Sequence, residues 1–103
     1  MNFVSALFLT GQLILPAADG PPRLDVQQSC KSAMKLDPQT GSVDACMKDE
    51  NDALAELKRL WTTFPAGDRA RCTTETSTGG APSYVELITC LQIAQDARQA
   101  PKN

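Results

Sequence analysis

Four cysteines, Cys30, Cys46, Cys72 and Cys90, are the side chains of this sequence best suited to chemistry. A cysteine serves as a nucleophile, a metal ligand or half of a disulfide. Nucleophilic or redox work needs a low-pKa thiolate beside a base. The chain contains no histidine, so the common Cys–His arrangement is excluded, and no C-x-x-C occurs. A structural zinc site normally draws on closely spaced cysteine pairs, which are absent too. An even number of cysteines in a small exported chain reads as a disulfide framework. The expectation is therefore two disulfides, with no catalytic, cofactor-binding or metal-ligating residue and no cofactor. Redox or metal carriage would require these thiols to be free.

Other polar residues have plainer readings. Glu50 interrupts an apolar stripe and is expected at its edge, reaching water. The acidic run over residues 48–56 lacks the alternation of an EF-hand loop. Counting from Asp49, the sixth place holds Leu54 rather than glycine. A solvated helix face is expected there. Arg69 and Arg71, with Asp68 and Glu75 nearby, read as surface ion pairs of small worth. No phosphate-cradling, dinucleotide or nucleophile-elbow motif occurs. The segment over residues 76–83 is small and polar. Thr78, Gly79 and Gly80 at its centre form a candidate partner-contact loop.

The context comes from composition. The chain has 103 residues, a net charge of -2 and a pI near 4.9. That balance offers no basic stripe to nucleic acid or to acidic lipid. Residues 1–18 carry no charged side chain and are mostly apolar. The apolar run is short for a membrane span and fits the core of a secretory signal peptide. Pro16, Ala17 and Ala18 supply a small-residue exit. The expectation is a signal peptide over 1–18, a single domain over 19–103, export to the periplasm or beyond, and no stable membrane insertion after cleavage. About 85 residues then remain, a size that usually needs a staple.

The elements that must position the cysteines follow the helical period, with no strand-like alternation. A first helix follows "DGPPR", with Pro22 in its first turn. Val26, Cys30, Ala33 and Met34 share one face, and Asp37-Pro38 ends it. Ser42 caps a second helix. Its stripe runs Val43, Met47, Glu50, Leu54, Leu57, Trp61 and Phe64 in steps of three and four, until Pro65 stops it. Asp44 and Lys48 form an i, i+4 pair on its surface, and Trp61 and Phe64 are core candidates. A weak third helix follows Pro65, with Ala66, Ala70 and Cys72 inward; Gly67 and the threonines lower its propensity. Ser83 and Glu86 form a capping box for the last helix. Its inner face is Tyr84, Leu87, Ile88, Leu91 and Ala94, and Arg98 sits in its final turn. The fold class is all-α, a small helical hairpin bundle of three to four helices.

Hairpin geometry selects the pairing. Folded at residues 37–42, Cys30 and Cys46 differ by about three residues along the axis, roughly 5 Å. Folded at the glycine loop, Cys72 and Cys90 are nearly level. Pairing Cys46 with Cys72 leaves roughly 15 Å, beyond the 4.4–6.8 Å that a disulfide allows between Cα atoms. The spacing predicts Cys30–Cys46 and Cys72–Cys90, each worth roughly 3 kcal/mol in the chain-entropy model.

"DACMKDENDALAELKRLW", "RARC" and "SYVELITCLQ" together resemble small exported bacterial cysteine-containing helical proteins of unassigned function. The outline "DAC", Trp61 and "RARC" is similar, more loosely, to the lysozyme-inhibitor-like LprI domain family. That family's "LN..Y" segment is replaced here by "ALAELKRL", and the helix holding Cys90 lies outside its outline. No inhibitory residue carries over. The resulting expectation is a non-enzymatic binding protein of the bacterial cell envelope with an unidentified protein partner. The alternative is inhibition of a lysozyme-type cell-wall hydrolase through the 76–83 segment.

Overall fold

A computed structural model describes residues 20–79 and 81–100 of the chain. The expected signal peptide, residues 1–18, lies outside the described residues, as does Gly80. Four α-helices are present: α1 (Val26–Leu36), α2 (Val43–Leu60), α3 (Ala66–Thr78) and α4 (Tyr84–Gln99). Single 3-10 turns follow α1 (Pro38–Thr40) and α2 (Trp61–Thr63). The described residues form an all-α bundle and contain no strand.

The helix starts follow side-chain chemistry. Asp25 caps α1 by accepting from the Gln28 amide. Pro22 was expected in the first turn but lies four residues before the helix. The D-x-x-Q pattern at 25–28 outweighs the proline, because a carboxylate satisfies an orphan N–H and a proline ring satisfies none. Ser42 caps α2 through the Ala45 amide, and Ser83 caps α4 through the Glu86 amide. Gly41 precedes Ser42 at φ 121°, a region that side chains disfavour. The expected Asp44–Lys48 pair does not form. Lys48 bonds Asp52 instead, at 2.7 Å on the exposed face; here the acid is C-terminal to the lysine.

The core is one cluster. Leu57, Leu87 and Leu91 are completely buried, with Val26, Trp61, Phe64, Tyr84 and Ile88 around them. Trp61 and Phe64 are thus core residues, as expected. The guanidinium of Arg69 lies over the Trp61 ring, 5.6 Å from its centroid, a cation–π distance. Ala33 is exposed, so the buried face of α1 is narrower than its sequence suggested.

α3 departs most from expectation. It is a regular helix of 13 residues, not a weak one. Ala66 and Ala70 are exposed, and the buried face is Asp68, Cys72 and Thr76. Those residues recur every four positions, so they stack along one side of the helix. The helix is held by what this polar face meets on α4.

Candidate functional site: the fastened α3–α4 pair

Three rungs join α3 to α4. The middle rung is the Cys72–Cys90 disulfide, with Cα atoms 5.7 Å apart. The second disulfide, Cys30–Cys46, joins α1 to α2 at 5.8 Å. Both pairings are those the hairpin geometry predicts, and both separations are ordinary for a disulfide. No cysteine is free.

The rung below is ionic. Asp68 is 2% exposed. Arg98 donates to it twice, from Nη2 at 2.8 Å and Nε at 3.1 Å. Arg71 adds a longer contact of 3.3 Å from its own helix. The hydrogen bonds from Arg98 hold the Asp68 carboxyl below its ordinary range; burial pulls it upward and is outweighed. The same bonds raise the pKa of Arg98. Asp68 was expected on the surface, and its partner lies 30 residues away in sequence.

The rung above is made of hydroxyl and backbone. Thr76 Oγ1 accepts from the Ser83 amide at 3.0 Å and lies 3.2 Å from the Ser83 carbonyl oxygen. The capping box of α4 is therefore only half closed. Ser83 accepts from Glu86, but the return bond to the Ser83 amide is made by Thr76. The Glu86 carboxylate sits 3.5 Å from the Thr76 hydroxyl instead.

Glu50 completes the anchorage of α4 from the other side. It is 6% exposed rather than at a wet edge. Its two carboxylate oxygens accept from the Tyr84 amide and the Ser83 hydroxyl, each at 2.6 Å. A carboxylate at the first turn of a helix satisfies an orphan donor and complements the helix dipole. The side chain that broke the apolar stripe of α2 is thus the cap of another helix. Tyr84 carries the chain of bonds onward. Its hydroxyl donates to the Pro22 carbonyl at 2.7 Å and accepts from the Leu24 amide at 2.9 Å. Ser29 reaches the Pro82 carbonyl at 2.7 Å. The start of α4 is the point where α1, α2, α3 and the residues before α1 all converge.

Beside the rungs, α3 and α4 enclose an open groove of about 680 Å³. Val85, Thr89, Ile93 and Ala97 line it from α4, and Arg71, Glu75 and Glu86 supply its charges. Neither Glu50 nor Asp68 lines this groove. In the candidate contact loop, Thr78 and Gly79 are exposed at the end of α3. The Thr78 hydroxyl donates back to the Thr74 carbonyl at 2.9 Å. Among the described residues, no cluster of acidic or cysteine side chains is placed to hold a metal ion. Among them, too, no helix is long and apolar enough to cross a membrane. No family model matches the chain, and no curated protein or solved structure matches it significantly.

Proposed function

We propose that this protein is a non-enzymatic binding module of the bacterial cell envelope, exported and oxidised before it acts. One observation carries the reading: each buried group suited to acid–base or nucleophilic chemistry is committed to a bond that holds the helices together. Both oxygens of Glu50 are engaged at the start of α4, and both oxygens of Asp68 by arginines. All four sulfurs are in disulfides. What remains outward is a groove and the exposed end of α3, which offer surface for recognition. The two disulfides favour an oxidising compartment.

The test is binding from periplasmic extract by the oxidised protein, with a Cys72→Ala/Cys90→Ala variant beside it. Support is a partner retained by the native protein and lost when α3 is unfastened. A partner held equally by both variants would remove α3–α4 from the reading. The resemblance to lysozyme-inhibitor-like domains names the first partner to try. A muramidase that keeps full activity at equimolar protein would eliminate inhibition while leaving other partners open.

A further inference from the structure

The disulfide that fastens α3 to α4 also faces solvent. Both of its cysteines line the open groove between the two helices. Cys72 is completely buried, whereas Cys90 is only partly buried. Access is one of the factors that set the rate of thiol–disulfide exchange. A sulfur in the wall of an open groove is within reach of a thiolate while the chain stays folded.

The neighbours of Cys90 bear on that exchange. Glu75 Oε1 lies 3.5 Å from Cys90 Sγ. A disulfide sulfur carries no proton, so nothing is donated across this contact in the oxidised protein. A Cys90 thiol in the same place would donate to the carboxylate. Arg71, 3.7 Å from Glu75, and Glu86 are the other charged residues of the groove. The thiol produced by reduction therefore has an acceptor in position, while an incoming thiolate meets a carboxylate.

What the bond secures is α3. Cys72 is the one α3 residue in the core cluster. The other ties of α3 are polar: Asp68 to the half-exposed Arg98, Thr76 to Ser83, and Arg69 over the Trp61 ring. Helix α4 keeps Leu87, Ile88 and Leu91 in the core whether or not α3 is attached.

We propose that Cys72–Cys90 is a redox-sensitive clasp, opened through the groove by a dithiol reductant while the protein is folded, after which α3 parts from α4. One thiolate of the dithiol attacks Cys90 Sγ. The S–S bond breaks and its electron pair leaves on Cys72, which takes a proton from water. The second thiolate then attacks the dithiol's own sulfur in the mixed disulfide and expels Cys90, which is protonated in turn and donates to Glu75. The dithiol ends as a cyclic disulfide, having given two electrons, and the protein holds two thiols. Since α3 and α4 are the two walls of the groove, the groove exists only in the oxidised protein. Control of binding there rests on the binding reading; the clasp itself does not, and its test needs no partner.

The experiment is reduction of the oxidised, exported protein by dithiothreitol, quenched by alkylation and read by peptide mass, with Cys30–Cys46 followed in the same samples. The expected rate of Cys72–Cys90 opening rises in proportion to dithiothreitol and does not level off at the unfolding rate. Hydrogen exchange of the opened protein should show α3 amides unprotected and α4 amides near Leu91 still protected. Glu75→Gln at low salt should speed the opening roughly two- to fivefold, the scale of one exposed charge contact. A rate that is independent of dithiothreitol, with both disulfides opening together, overturns the proposal, because the bond would then open only on global unfolding. So does an α3 that keeps its protection after the bond is opened, or a Glu75→Gln rate equal to the parent's.

Discussion

Helix α4 is held on two sides by unlike means. Toward α2 and α1 it presents Leu87, Ile88 and Leu91, which pack with Leu57, Trp61 and Val26. Toward α3 it presents a sulfur, a guanidinium and a backbone corner, which meet Cys72, Asp68 and Thr76. The first seam is non-directional and gains by area removed from water. The second gains little by area. Each of its rungs works only at one distance and one register. The contrast shows how a chain this short adds a helix that has no apolar stripe. It buries the polar face of α3 and gives each buried group a dedicated partner.

The sharpest way to break the comparison is to damage the apolar seam. Leu87→Ala should cost about 2–5 kcal/mol, since a completely buried leucine leaves both a transfer loss and a cavity. That is a large share of the 5–15 kcal/mol typical of a whole domain. Chemical denaturation should show the midpoint falling in one cooperative transition, with all helices lost together. Next comes the covalent rung. Cys72→Ala with Cys90→Ala should cost roughly 3 kcal/mol, and the loss should be local. Hydrogen exchange should speed up across α3 while amides of α2 and α4 near Leu57 and Leu91 stay protected. Equal acceleration everywhere would mean that the two seams are one cooperative unit.

How far the sequence reveals these seams depends on the kind of force in each. The apolar seam is legible: the steps from Leu54 to Phe64 and from Tyr84 to Leu91 place the core correctly. The disulfides are legible as well, because helix rise and turn position leave only one pairing within reach. α3 is not, because periodicity searches look for apolar residues and its inner face has one cysteine and no other. The misreading of Glu50 has the same root. Its core position was visible in the stripe, but its donors lie 33 and 34 residues away. A buried carboxylate is allowed only by partners that local pattern does not reveal. One signal did exist. An acid at a stripe position in α2, and a helix start with an open first turn later in the chain, have complementary needs.

Glu50 gives the third test, smaller than the first two. Glu50→Ala strands the Tyr84 amide and frees the Ser83 hydroxyl in a buried place. A cost of about 1–3 kcal/mol is expected from thermal melts. Glu50→Gln keeps an acceptor for the amide and should recover part of the loss. If alanine and glutamine variants melt alike, the carboxylate's charge at the helix start matters more than its hydrogen bonds.

The smallest effect belongs to the ionic rung, because Arg98 is 58% exposed and water screens the pair. Its signature is pH. Arg98 holds the folded Asp68 carboxyl below its unfolded value, so folding favours the charged form. The contribution is complete above the unfolded value of about 3.9. It is lost as pH falls through the lower, folded value, where both states become protonated. Melting temperatures recorded from neutral pH down into this acid range should show the wild type losing an increment that Asp68→Asn lacks throughout. The two curves should converge at the acid end and separate above it. If Asp68→Asn runs parallel to the wild type, with a constant offset across that range, then Asp68 holds α3 by shape and hydrogen bonding alone. The polar seam would then differ from the apolar one in geometry but not in its response to charge.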